Sequence, residues 1–211
     1  MAEKHIYLVR HGESEYNVAP LMLPQDTPLT ARGRAQAEMC AERCASIHFE
    51  TIFTSTYQRA RVTGETIQQK TGKPLIVNPL FLEYRYPDSV IGQPKKGGPS
   101  HLEMIGGKET RYPGGETFAE LFSRAREALT FFQHREEDSM LLVSHGFFIQ
   151  AMLTAMIFGE KGTFTEFEQL FHTFVASNTG ITHCIFDDEK LPERKWRVIT
   201  WNDDAHLGEI E

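Results

Sequence analysis

Ile6-Tyr7-Leu8-Val9-Arg10-His11-Gly12-Glu13-Ser14 is the stretch on which the fold turns. Residues 6–9 form a short apolar run that stops at a charged side chain and a glycine, the pattern of a buried strand with a polar end. The same pattern recurs downstream. Residues 51–54 are a β-branched run followed by Ser55 to Arg59, and residues 140–143 are a third apolar run followed by Ser144-His145-Gly146. Residues 75–77, 181–186 and 196–201 also read as short strands, with a turn around 187–194.

Helical signals separate these runs. Thr30 is a candidate N-cap, and Ala37, Cys40, Ala41 and Cys44 fall on one face at i, i+3, i+4 and i+7. Ser55 with Gln58 has capping-box spacing and predicts a helix to about Lys70, stopped by Thr71-Gly72-Lys73-Pro74. Thr117 with Glu120 repeats the box, and Phe118, Leu121, Phe122, Ala125, Leu129 and Phe132 share the face that follows. Residues 147–158 read as a buried helix, too short and too interrupted by Gln150 and Thr154 to span a bilayer. Alternating strands and helices predict a three-layer α/β/α sandwich around a mostly parallel, mixed sheet. Ligands of such sheets gather at the carboxyl ends of strands, and there the polar residues lie. Between 83 and 115 the chain loses periodicity, an irregular insertion or lid of a length often tied to function. The last residues, 203–211, are acidic and are expected to fray.

Bulk composition narrows the function. The 211 residues carry 22 basic and 29 acidic side chains, net charge -7, with no basic stripe, which argues against a nucleic-acid partner. No linker divides them, so one domain over 1–211 is expected. The N-terminus lacks a charged-then-apolar signal layout, so a cytoplasmic protein without a membrane partner is expected. Cys40, Cys44 and Cys184 fit buried free thiols better than a disulfide or zinc site.

Taken singly, the polar ends are weak signals, since a histidine there is more often a hydrogen-bonded core residue. As an ordered set they are specific. Leu8-Val9-Arg10-His11-Gly12-Glu13-Ser14 with Asn17 resembles the signature of the histidine phosphatase superfamily, which includes the phosphoglycerate mutases. Further blocks follow in family order: Pro28-Leu29-Thr30 with Gly33, Gln36 and Ala37; Ser55 through Arg59-Ala60 to Thr63; Gly114-Gly115-Glu116-Thr117; Val143-Ser144-His145-Gly146; and Asn178-Thr179-Gly180. The resemblance implies a phosphoglycerate mutase-like fold and a phosphohistidine formed on His11. It places Arg10, Arg59 and a protonated His145 around the transferred group and makes Glu83 the general acid, with Asp88 and Glu116 as substitutes. Asn17, Ser14 and Gly12 become substrate contacts.

The chemistry is consistent with these assignments. Phosphate monoesters need up to ~10²¹-fold acceleration, and a neutral imidazole is a competent nucleophile at pH 7 whose tautomer a nearby carbonyl would fix. Charge on the three equatorial oxygens calls for fixed cations, and arginine's planar fork grips two oxygens at once. Free N–H groups at the start of the helix after His145 would add to the anion site. The alkoxide leaving group needs a proton from a carboxyl of raised pKa. Such a clamp needs no metal, and no cofactor is expected for a phosphatase acting on a small phosphorylated metabolite. A mutase, the alternative, shares every residue and would use 2,3-bisphosphoglycerate. The chain's length and its divergence after Glu83, where Tyr84-Arg85-Tyr86-Pro87-Asp88 stands, favour the phosphatase. A non-catalytic phospho-ligand binder is a further alternative, weakened by the presence of all four core residues. Dimers are common among similar proteins, which leaves a homodimer open. Lys95, Lys96 and Arg111 are candidates for a second anionic group, though a solvated loop accounts for them better. Phe164, Phe167, Phe171 and Phe174 have helical spacing that suits core packing or a cover over the pocket.

Overall fold

The computed structural model describes residues 3–96, 101–106, 114–191 and 195–208. Six strands form one sheet in the order β3-β2-β4-β1-β5-β6: β1 is Lys4–Arg10, β2 Thr51–Thr54, β3 Leu75–Val77, β4 Ser139–Ser144, β5 Ile181–Phe186 and β6 Trp196–Asp203. Strands β3, β2, β4 and β1 run parallel, and β5 and β6 are antiparallel additions at one edge. The expected mixed, mostly parallel sheet is therefore the observed one.

Side chains alternate across it because successive residues of a strand point to opposite faces. Ile6, Leu8, Phe53, Met140 and Leu142 pack against α5 (Phe118–Gln133), α6 (Gly146–Phe158) and Phe167 of α7 (Phe164–Thr173). Val9, Ile52, Leu141 and Val143 face the other way, onto α2 (Ala31–Cys44) and α3 (Gln58–Thr71), where Cys40 and Cys44 lie buried as free thiols. These two cores make the three layers. The apolar α6 is buried along most of its length, and among the described residues no helix is long and apolar enough to cross a membrane.

Most helix starts follow their local signals. Thr30 accepts from the Gly33 amide at 2.9 Å, and Thr117 and Glu120 form the expected box. Ser55 does not cap: α3 begins at Gln58 with Tyr57 as N-cap, and the Ser55 hydroxyl lies 2.8 Å from His145 Nε2. A tertiary partner has displaced the local one. The segment 84–115 is less irregular than expected, holding a 3-10 turn at Asp88–Val90 and a short helix α4, His101–Gly106. At the other end β6 continues through Asp203 and a 3-10 turn follows at Ala205–Leu207, so fraying does not begin at 203. Residues 192–194 of the expected turn and 209–211 of the tail lie outside the described residues, as does Arg111.

The strand order puts the carboxyl ends of β2, β4 and β1 side by side. The loop after β1 is seated on α2 by contact of backbone with backbone. A Cβ on Gly33 would lie 1.8 Å from the Glu13 carbonyl oxygen, and one on Gly12 would lie 2.4 Å from the Gly33 oxygen. Gly33 lies within α2, where alanine normally stabilises by about 1 kcal/mol relative to glycine. Here Gly33→Ala should instead lower the melting temperature and the activity together, because the loop carrying His11 must shift. A Gly33→Ala protein at least as stable and active as the parent would contradict this seating.

Candidate active site

Arg10 and His11 leave the end of β1 and are held from three sides. The His11 amide donates to the Ser144 carbonyl of β4 at 3.0 Å, its own carbonyl accepts from Asn178 Nδ2 at 2.8 Å, and the Arg10 carbonyl accepts from the Thr179 amide at 2.8 Å. Thr179 has φ 60°, a left-handed conformation that is strained for a β-branched residue. Its hydroxyl offsets part of that strain by donating to the Asn178 carbonyl at 2.7 Å. Gln36 Oε1 accepts from the Glu13 amide at 2.8 Å, and Thr63 Oγ1 from the Gly12 amide at 3.2 Å.

These anchors fix the imidazole. His11 is buried, with Nδ1 2.6 Å from the Gly12 carbonyl oxygen and Nε2 accepting from Arg59 Nε at 3.0 Å. A carbonyl can only accept, so Nδ1 carries the proton and Nε2 the free electron pair. Burial, Arg59 and Arg10 together hold the ring's pKa well below the usual histidine value. The site therefore presents a neutral imidazole of defined tautomer.

The neighbouring groups are cationic or paired with cations. Arg10 and Arg59 are each tethered at Nη1 by a backbone carbonyl, of Ala176 and Gln25 respectively. Two buried nitrogens, Arg10 Nε and His145 Nδ1, have no hydrogen-bond partner. In a native site such orphans call for an explanation, and a bound anion supplies one. The His145 ring is fully buried and lies 5.1 Å from the His11 ring, edge-on. A protonated His145 does not describe the protein by itself: burial, Arg59, His11 and Arg10 all push its pKa well below the usual value. Only an added negative charge would reverse that balance.

Glu83 faces the same cavity. One carboxylate oxygen, Oε1, accepts from the amides of Tyr84 at 2.9 Å and Phe148 at 3.0 Å, and Oε2 accepts from Phe147 at 3.3 Å. Burial raises its pKa, and the three amides and Arg59 oppose the rise, leaving it above the ordinary carboxylate value. The amides of Phe147 and Phe148 in the first turn of α6 thus serve the Glu83 carboxylate, while Gly146, which opens the helix, lines the cavity. Behind Glu83 lies a group that sequence reading missed. Arg124 donates to the carbonyls of Leu80 (3.2 Å), Leu82 (2.5 Å) and Glu83 (3.2 Å), and to both carboxylate oxygens of buried Glu116 at 2.9 and 2.8 Å. Nothing in the sequence set it apart, since Arg126, Glu120 and Glu127 stand on the same helix.

Arg10, His11, Asn17, Arg59 and Glu83 line one cavity of about 340 Å³, together with Tyr16, Gln25, Tyr84, Tyr86, Gly146, Phe147, Gln150, Phe171, Phe174, Val175 and Ala176. Asn17 Oδ1 accepts from the Ser14 amide and hydroxyl at 3.0 and 3.1 Å, which leaves its NH₂ to donate. Ser14, Gly12, His145, Glu116 and Asp88 are not among the residues that line this cavity. Ser14 is fully buried and absent from the lining, because its hydroxyl orients Asn17. Gly12 uses its amide on Thr63 and its carbonyl on His11, so it positions the ring. Glu116 is committed to Arg124, and Asp88 is exposed outside the cavity, so neither replaces Glu83. Lys95 donates to the Tyr16 carbonyl and lies 4.1 Å from the centre of its ring, while Lys96 is exposed. Among the described residues no group of three or more His, Cys, Asp or Glu is arranged to hold a metal ion.

Comparison with known proteins follows the geometry. A family model described as "Histidine phosphatase superfamily (branch 1)" matches residues 6–204. A protein of Serratia proteamaculans named "Probable phosphoglycerate mutase" is 35% identical over 162 residues, 72% of this chain and 74% of its own. Among solved structures, a phosphoserine phosphatase variant from Entamoeba histolytica in complex with phosphoserine superposes with a TM-score of 0.76 at 23% identity, covering 97% of this chain and 99% of that one. The mycobacterial glucosyl-3-phosphoglycerate phosphatase gives 0.75 at 24% identity, covering 95% and 99%. At such identities the two structures speak for the fold alone.

Two outcomes test the geometry. Arg124→Ala leaves Glu116 buried and unpaired, so it should cost about 3–5 kcal/mol in denaturant unfolding; a loss below about 1 kcal/mol would mean the clasp is incidental. His11 and His145 have depressed folded pKa values, so below the unfolded value of about 6.5 the unfolded state binds more protons than the folded state. Stability is thus fully present above that pH and falls as pH drops, by about 1.4 kcal/mol per unit for each ring. Unfolding between pH 7.5 and 5.5 should show a shallower slope in His145→Gln; equal slopes would contradict the neutral ring.

Proposed function

The chain belongs to the histidine phosphatase superfamily, and from that premise we propose that it hydrolyses a small phosphomonoester through a phosphohistidine on His11. The observation that carries this reading is the fixed tautomer: Nε2 is unprotonated, its electron pair accepting from Arg59 Nε beside a cavity that Arg10, Arg59 and Glu83 share. A phosphoryl group that draws Arg59 onto its oxygens leaves the pair to attack. Nε2 attacks phosphorus while the bond to the ester oxygen breaks. Arg10, Arg59 and the NH₂ of Asn17 stabilise charge on the equatorial oxygens. Glu83, protonated, gives its proton to the departing alkoxide. As a carboxylate it then takes a proton from water, whose oxygen attacks the phosphohistidine and releases phosphate with the His11 electron pair restored. The raised pKa of Glu83 supports its protonated start, and a phosphate dianion nearby raises it further.

Hydrolysis is favoured over mutase activity by the lining of the cavity. Arg10 and Arg59 suit one phosphoryl group, and the described lining has no further lysine or arginine for the second anion of a bisphosphate. Relatives bearing a mutase name keep that alternative testable: any 3-phosphoglycerate consumed should appear as free phosphate, even with 2,3-bisphosphoglycerate added. Sustained isomer formation would make the protein a mutase.

Quenching in alkaline detergent should trap a phosphoenzyme that survives base, is lost in acid and is absent in His11→Ala. Glu83→Gln should lower kcat/KM, which reports phosphohistidine formation and not its hydrolysis, about 10²–10⁴-fold for alkyl phosphates yet far less for p-nitrophenyl phosphate, since nitrophenolate departs without a proton. In the parent, kcat/KM for alkyl esters should decline as pH rises through the Glu83 pKa. Equal losses on both ester types would remove Glu83 from the acid role.

A further inference from the structure

The mechanism uses the floor of the cavity and leaves its walls unexplained. Those walls are aromatic: Tyr16, Tyr84, Tyr86, Phe147, Phe171 and Phe174 line it, and Val175, 70% exposed, stands at the rim. The rings form two connected surfaces. Tyr16 and Tyr86 stack at 5.8 Å between centres, while Phe147 lies 4.7 Å from Phe171 and 6.0 Å from Tyr84. Apart from those used on the phosphoryl group, the polar side chains here are largely committed. Gln25 donates to the Tyr84 carbonyl at 2.6 Å and accepts from Tyr57 at 3.2 Å, and Gln150 donates to the Phe174 carbonyl at 2.5 Å. The Tyr86 hydroxyl is bound to the Leu23 carbonyl and that of Tyr16 to the Met22 sulfur at 3.4 Å.

Among the described lining residues, what remains for the leaving-group half is uncharged. Gln150 Oε1 and the Tyr84 hydroxyl are buried without partners, and a carbonyl oxygen repels a carboxylate. Lys95 is not among the lining residues, and its ammonium donates to the Tyr16 carbonyl and stands over the Tyr16 ring. The net charge of -7 adds a field that disfavours a second negative group wherever no local cation cancels it. We propose that the cavity takes phosphomonoesters whose alcohol half is uncharged and apolar, an aromatic ring best of all, and discriminates against those with a second anion. This rests on the hydrolase reading of the same cavity and names its substrate class.

The test uses esters of similar alkoxide basicity, so that chemistry does not masquerade as recognition: 2-phenylethyl phosphate, glycerol 3-phosphate and 3-phosphoglycerate. Burying one ring should give 2-phenylethyl phosphate a kcat/KM about 100-fold above 3-phosphoglycerate, with glycerol 3-phosphate between them. Phe171→Ala and Phe174→Ala should each cut that ratio by about 10-fold. Equal values for the phenyl and glycerol esters, or a preference for 3-phosphoglycerate, would overturn the proposal. Calorimetry on the parent protein with 2-phenylethylphosphonate and 3-phosphonopropionate separates this proposal from the hydrolase reading. Tighter phenyl binding without turnover of any ester would retain the walls' assignment and refute the hydrolase. Turnover with equal or tighter binding of the carboxylate would do the reverse.

Discussion

One hydrogen bond organises this protein: Nδ1 of His11 to the carbonyl of its own neighbour, Gly12, at 2.6 Å. A buried imidazole between two guanidinium groups stays neutral because protonation would add a third positive charge where water cannot screen it. Neutrality alone leaves two tautomers, and the Gly12 carbonyl selects the one with a free pair on Nε2. Much of the surrounding architecture serves to keep that carbonyl in place. Gly33 lets α2 approach the loop, Thr63 and Gln36 take up its amides, and Ser144 and Asn178 fix the backbone of His11 from the neighbouring strand and the approach to β5. The strain at Thr179 belongs to the same scaffold, since its amide can reach the Arg10 carbonyl from a left-handed conformation.

The acid side of the cavity is held by different means. Glu83 lies on a stretch of chain without regular hydrogen bonding, so its backbone needs side-chain partners. Arg124 supplies them through three carbonyls, with its charge balanced by Glu116. A buried ion pair adds little net stability compared with apolar packing, but a guanidinium fork can hold several carbonyls at fixed angles, which an apolar side chain cannot. The carboxylate itself sits at the start of α6, where backbone amides favour the ion while burial favours the acid. Under the proposed mechanism Glu83 exchanges a proton in both directions, and such opposed influences suit that role.

Local rules failed where tertiary partners competed for the same atoms. Ser55 has capping-box spacing, but its hydroxyl meets His145, and the helix starts later. Ser14 and Gly12 share the motif of His11 and were expected to touch ligand; one orients Asn17 and the other holds the ring. Glu116 looked like a spare acid until its partner, eight residues on, came into view. Arg124 had no motif to mark it, because its contacts are to carbonyl oxygens, which every sequence offers.

From the sequence alone came the alternation of strands and helices, the core faces, the polar strand ends and the grouping of Arg10, His11, Arg59, Glu83 and His145. The first three follow from periodicity along the chain, which is local; the grouping was implied by the resemblance of the ordered motifs to the histidine phosphatase superfamily. Strand order, the tautomer of His11, the neutral state of His145, the commitment of Lys95 and Glu116, and the aromatic walls were decided by the tertiary structure. Each depends on which distant group lies within hydrogen-bond or van der Waals reach, and on how far burial removes a charge from water, and neither quantity is set until the chain has folded.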